Sequence, residues 1–208
     1  MPKPLHMTAI SPNFVVGIGA SAGGLSAFKS FFNALGPDTG MAFVVISHIY
    51  PAANSQLAEI LSRHTKMTVA LAASKMKVQA NEVYVIPGNA DLLLEDRTLI
   101  AISPRNRRNT QVDIFFSSIA LAMGPRSVGI IFSGYDGDGS AGCLRIKAAG
   151  GTTFAQDSSA EVSGMPLNAR ATGAIDFVMP ANEMPAELQK MAERFILEAT
   201  PGNGFGIE

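Results

Sequence analysis

One cysteine in 208 residues excludes a disulfide framework and any multi-cysteine zinc site. Tryptophan is absent, which says nothing about function. Charge is scarce: charged side chains make up 16% of the chain, 16 basic against 17 acidic, for a formal net charge of −1. A nucleic-acid-binding domain would carry a basic surplus, so the composition argues against that class. No apolar run approaches the ~18 residues of a membrane helix. The start, Met1-Pro2-Lys3-Pro4-Leu5-His6, has no apolar signal core, so a cytoplasmic protein is expected. What is plentiful is apolar residue, at 47%, a balance that excludes disorder. At ~150 residues per domain the length gives one domain, able to bury roughly 70% of its unfolded surface.

The pattern along the chain alternates strand and helix. Residues 14–18 read as a strand, followed by the turn Gly19-Ala20-Ser21-Ala22-Gly23-Gly24 and a helix carrying Leu25, Phe28, Phe31, Phe32 and Leu35. A β-branched run at 41–46 ends at Ser47-His48, and a helix capped at Asn54 or Ser55 runs to about 64. Short strands follow at 67–71 and 83–86, then a hairpin from 92–94 and 99–102. A basic loop over 104–109 precedes a helix at 112–123, and 127–132 is a strongly apolar strand. It leads into Ser133-Gly134-Tyr135-Asp136-Gly137-Asp138-Gly139 and a helix from 140 to about 150. Strands at 152–155 and 175–179 and a helix at 184–199 complete the chain. This order predicts an α/β fold: a doubly wound, mostly parallel sheet with helices on both faces and a small antiparallel hairpin.

In such sheets, sites form outside the carboxyl ends of the strands, so the loops after 18, 46 and 132 matter most. The first contains Gly19-Ala20-Ser21-Ala22-Gly23, which fits the G-x-S-x-G elbow that pushes a serine hydroxyl out of a strand-to-helix turn. Gly17-x-Gly19-x-x-Ala22 also fits a dinucleotide fingerprint. That reading needs an acid at the end of the second strand, and none stands between Met41 and Ala53. The second loop supplies His48, the one histidine of three at a strand's carboxyl end; taken alone, it reads more simply as a satisfied polar residue. The third supplies Asp136 and Asp138. An EF-hand is excluded there because the sixth and twelfth positions hold Ala141 and Lys147 in place of Gly and Glu. Ser, His and an Asp on three strand ends make a triad, provided the strand before Ser21 neighbours, or nearly neighbours, the other two.

These segments, with Tyr84-Val85-Ile86-Pro87-Gly88, Val112-Asp113-Ile114-Phe115-Phe116 and Gly164-Met165-Pro166, resemble the catalytic domain of CheB, the chemotaxis protein-glutamate methylesterase. The likeness runs from about Phe14 to about Phe195. Arg63-His64-Thr65 and Met184-Pro185-Ala186-Glu187-Leu188 resemble most the esterase domains fused to methyltransferase and sensory modules. The resemblance implies a nucleophile at Ser21, a general base at His48 and an acid at Asp138, the residue just before the last Gly of its turn. It implies oxyanion donors in the backbone at Ala22 and Tyr135. Substrate contacts are assigned to Arg107, Arg108 and Met165. The implied reaction is hydrolysis of glutamate γ-methyl esters on chemoreceptor helices, with receptor glutamine deamidation in some members. No metal or organic cofactor is expected. The catalytic domain is expected over 14–199, between tails at 1–13 and 200–208.

The sequence departs from the family pattern at Ala22, at Ser47, and at Asn109-Thr110-Gln111, where relatives usually carry Arg and Pro. The receiver domain of standard members is not found in the stretch read, so either an unregulated single-domain form or one module of a longer protein is expected. Two other classes stand beside the esterase: a non-catalytic interaction domain of a signalling complex, and a nucleotide-binding domain. Cys143 reads as a small buried hydrophobe.

Overall fold

The computed structural model describes residues 10–48 and 54–199. The two expected tails fall largely outside them. The chain runs β1 (Phe14–Ala20), α1 (Gly24–Ala34), β2 (Met41–Ser47), α2 (Asn54–Ser62), β3 (Thr68–Leu71), β4 (Met76–Lys77), β5 (Glu82–Val85), β6 (Asp91–Glu95) and β7 (Thr98–Ile102). It continues through α3 (Gln111–Met123), β8 (Ser127–Ile131), α4 (Ser140–Ala148), β9 (Thr152–Gln156), α5 (Gly164–Ala171), β10 (Phe177–Met179) and α6 (Met184–Ala199).

Seven strands form one sheet in the order β10-β9-β8-β1-β2-β5-β3, with every pair parallel. β1 and β2 are buried along their whole length, which is why they read as unbroken apolar runs. Successive residues feed opposite faces. Val16, Ile18, Phe43 and Val45 join Phe28, Phe31 and Phe32 of α1, Leu57 of α2 and Leu188 of α6. Phe31 meets Phe43 and Phe132 edge to face at 6.0 and 5.8 Å. Val15, Val44 and Ile46 turn the other way, toward Phe115 and Phe116 of α3, Cys143 of α4 and Met165 of α5.

β1 lies between β8 and β2, at the point where strand order reverses. The adjacency that a triad requires is therefore met. On the α3 face β1 presents bare backbone beyond Val15, at Gly17 and Gly19. A Cβ on Gly19 would stand 2.5 Å from Val112 Cγ1, and one on Gly17 would stand 2.8 Å from Phe116 Cε1. These two glycines let the N-terminal half of α3 lie against the sheet.

The hairpin is the core of a three-stranded antiparallel sheet, β4-β7-β6. Its third strand has two residues, too few to show a period. α5 also escapes the sequence pattern: it has eight residues with Pro166 in its first turn, where proline is tolerated. The last strand starts at Phe177, later than expected, because the Asp176 carboxylate itself accepts the Thr153 N–H at 3.0 Å.

Candidate active site

The three loops converge because their strands are in register. Ala20 pairs with Ser47, and Gly19 pairs with Ile131. Beyond the ladder, His48 N–H donates to Ala20 O at 3.3 Å and Ser21 N–H donates to Ser133 O at 2.9 Å. The strand ends are thus tied one residue further than the sheet itself.

The elbow at Ser21 is a tight turn, closed by Gly24 N–H donating to Ser21 O at 3.0 Å. Gly23 sits at φ +73°, and a Cβ there would lie 2.6 Å from Ser133 Oγ, so glycine is required twice over. Ser133 is fully buried. Its hydroxyl donates to Ala22 O at 2.7 Å and accepts Val162 N–H at 2.9 Å, while its own N–H donates to Gln156 Oε1 at 3.1 Å. Ser133 therefore ties the Ser21 loop to the strand end that leads to Asp138, and Gln156 holds Ser133 in place. Sequence reasoning gave neither residue a role, because a serine ending an apolar strand carries no signal of a clamp. Ser21 is half-buried, and its Oγ makes no hydrogen bond among the described residues. The N–H groups of Ala22 and Tyr135 likewise donate to no protein acceptor among the described residues. The Tyr135 side chain itself is exposed.

The His48 side chain is 6% exposed, and its Nε2 lies 2.6 Å from Asp138 Oδ2. Asp138 is wholly buried at its side chain. Its Oδ2 also accepts Val112 N–H at 3.0 Å, and its Oδ1 accepts Asp113 N–H at 2.9 Å. The acid thus caps the N-terminus of α3, where free amides and the helix dipole stabilise its charge. Asp113, in the first turn of α3, returns the arrangement by accepting Gly142 N–H of α4 at 2.7 Å. The carboxyl of Asp113 is pushed above its ordinary 3.8, mainly by burial and further by the Asp138 charge, against the pull of the Gly142 amide.

A carboxylate on Nε2 requires that nitrogen to carry the hydrogen. Nδ1 is then the basic nitrogen of the neutral ring. It is buried and makes no hydrogen bond among the described residues. Asp136 Oδ2 stands 3.4 Å from it. Both aspartates of the loop therefore reach His48, from opposite sides of the ring. The short contact and the fixed, fully buried geometry belong to Asp138.

The remaining sequence expectations separate. Arg107 and Arg108 are exposed on the loop before α3. That loop is pinned from below: Asn106 N–H donates to Asp91 Oδ2 at 2.9 Å, and Gln111 Nε2 donates to Asp91 Oδ1 at 2.9 Å and to Arg107 O at 2.6 Å. Gln111, one of the departures from the family pattern, is thus a buried strut of the loop. Met165 is fully buried, with its Sδ under Gly134 and its N–H donating to Gly134 O at 2.8 Å. It supports the acid loop from beneath and has no exposed surface with which to meet a substrate. Cys143 is buried on the core-facing side of α4, and its thiol is pushed up to about 12, chiefly by burial. Among the described residues no group of three or more His, Cys, Asp and Glu is placed to hold a metal ion, and no helix is long and apolar enough to cross a membrane.

Comparison with known proteins places this arrangement. The CheB methylesterase family model matches residues 16–188, a stretch that includes all three loops. A protein-glutamate methylesterase/protein-glutamine glutaminase 1 of Geobacter metallireducens is 37% identical over 190 residues, covering 88% of this chain and 52% of the relative. A protein-glutamate methylesterase/protein-glutamine glutaminase of Photorhabdus laumondii is 32% identical over 212 residues, covering 99% and 57%. The chain therefore spans about half the length of these curated relatives. The crystal structure of the Thermotoga maritima CheB methylesterase catalytic domain superposes with a TM-score of 0.81 at 26% identity, covering 88% of this chain and all of that one. The fold, the ordered loops and these matches agree, and the chain belongs to the CheB methylesterase family.

Proposed function

We propose that this chain hydrolyses glutamate γ-methyl esters on chemoreceptor proteins, releasing methanol, with Ser21 as nucleophile, His48 as base and Asp138 as acid. The observation that carries the reading is the buried His48 ring. One nitrogen is held by a charge-stabilised carboxylate at 2.6 Å. The other makes no hydrogen bond among the described residues, and the ring follows the strand end that pairs with β1 just before Ser21.

The steps follow from that geometry. Ser21 Oγ attacks the ester carbonyl as its proton passes to His48 Nδ1, and the imidazolium is stabilised through Nε2 by Asp138. The amides of Ala22 and Tyr135 receive the oxyanion. Collapse of the intermediate breaks the C–O bond, and the Nδ1 proton leaves with methanol. Water then attacks the acyl-enzyme, giving its proton to Nδ1. Collapse returns that proton to Ser21 Oγ and frees the glutamic acid side chain, which gives water's second proton to solvent and leaves as a carboxylate. An amide enters the same sequence with ammonia as leaving group, which is the chemistry named for the glutaminase relatives. The exposed Arg107 and Arg108 attract the acidic surface of a receptor methylation helix, as complementary charge does for encounter. In this reading the chain works in the cytoplasm.

The test is methanol release from a methylated chemoreceptor fragment, comparing the chain with Ser21→Ala. Release that vanishes in the variant is the expected result. No release from either protein, both folded, refutes the esterase and favours a binding role.

A further inference from the structure

Asp138 is not the only carboxylate on His48, and the second has no part in the mechanism above. Asp136 Oδ2 lies 3.4 Å from Nδ1, the nitrogen that serves Ser21. Asp136 is held there: its Oδ1 accepts Asp138 N–H at 3.2 Å and its carbonyl accepts Asn168 Nδ2–H at 3.0 Å. The two acids differ in what surrounds their charge. Asp138 is fully buried and spends its oxygens on His48 and two amides. The Asp136 side chain is 28% exposed, and among the described residues its Oδ2 has the His48 ring as its one polar contact.

We propose that Asp136 is a specificity-determining residue that makes the site favour neutral acyl groups and expel carboxylates. The proposal rests on the esterase reading. Ser21 Oγ must come within hydrogen-bond reach of Nδ1 to lose its proton, so Oγ and Asp136 Oδ2 share one nitrogen and lie within roughly 6–7 Å of each other. The acyl carbon bonded to Oγ lies at about that distance too. An ester or amide arriving there is neutral, and the product leaving is an anion. At such a separation a like charge in a partly wet site discriminates by roughly ten-fold. The residue therefore acts on the charge that distinguishes product from substrate. It limits product inhibition and disfavours receptor side chains that are already demethylated.

The experiment uses butyrate and butyramide, an anionic and a neutral mimic of the glutamate side chain, as inhibitors of Ser21-dependent p-nitrophenyl acetate hydrolysis. In the wild type butyramide should bind about ten-fold more tightly than butyrate, and in Asp136→Asn the ratio should fall to about one. Asp136→Ser reads the same ratio should the first variant fold poorly. A ratio unchanged in the variants, or butyrate binding more tightly to the wild type because Arg107 and Arg108 dominate, overturns the proposal. The ratio is also read from shifts of the His48 imidazole resonances, which need no turnover. Absence of Ser21-dependent hydrolysis with the binding ratio intact refutes the esterase reading alone. Hydrolysis without discrimination refutes only the role of Asp136.

Discussion

Replacing Asp138 by asparagine tests the triad and the helix cap in a single change. The carboxylate serves three donors: His48 Nε2 and Val112 N–H on Oδ2, and Asp113 N–H on Oδ1. An amide has one acceptor oxygen and one NH2 group, so no orientation serves all three. With its oxygen at the Oδ2 position, the NH2 confronts Asp113 N–H. With its oxygen at the Oδ1 position, the NH2 confronts Val112 N–H and donates to Nε2, which forces the ring proton onto Nδ1. His48 then cannot accept the proton of Ser21. Either orientation leaves one buried amide unpaired, at about 1–3 kcal/mol. For a chain of this length that lowers Tm by roughly 2–4 °C per kcal/mol. Loss of the charge behind the imidazolium, together with the wrong tautomer, lowers kcat by up to about 10⁴-fold. The assay is methanol release alongside a thermal melt. Turnover within ten-fold of wild type, with an unchanged Tm, would refute the reasoning.

Gly19→Ala should destabilise by about 1–3 kcal/mol and lower turnover together, because its Cβ would stand 2.5 Å from Val112 Cγ1 and push α3 off the sheet; a melt and an activity assay read both. Cys143 should be silent to Ellman's reagent at pH 8 in the native protein, its thiol pushed up to about 12, and react as one equivalent once unfolded. Rapid labelling of the native chain would contradict its burial. Burial raises the Asp113 carboxyl above 3.8, so the folded chain binds that proton more tightly than the unfolded one. Its contribution to stability is greatest below 3.8 and is lost as pH rises through the raised value. Asp113→Asn keeps an oxygen for Gly142 N–H, so its stability relative to wild type should improve as pH rises from about 4 to 7. Melts across that range showing the opposite trend would contradict this.

Much of the fold was legible because the residues that build it announce their burial. Phe14–Ala20 and Met41–Ser47 are buried on both faces, and short β-branched runs of that kind suit a central parallel strand. The triad candidates were legible through position, each being polar at the end of an apolar run. Several site features were not. That β1 lies between β8 and β2 is set by crossovers, and sequence could state it only as a requirement. Which ring nitrogen of His48 is left basic depends on the side from which Asp138 approaches. Met165 fitted a family motif, yet its place is beneath the turn, because the bare Gly134 leaves a socket there. Ser133 and Gln156 earn their places through partners more than 20 residues distant, which no local pattern encodes.

The mutual capping of α3 and α4 has a consequence for how activity is lost. Asp138 precedes α4 and caps α3, while Asp113 lies in α3 and caps α4. Neither helix can peel away without leaving buried amides bare and stripping His48 of its carboxylate. Opening of this helix pair and loss of the His48–Asp138 contact are thus one event. Under denaturant, turnover should fade no later than the slowest-exchanging amides of that helix pair open, which makes the enzyme's own reaction a clock for its unfolding.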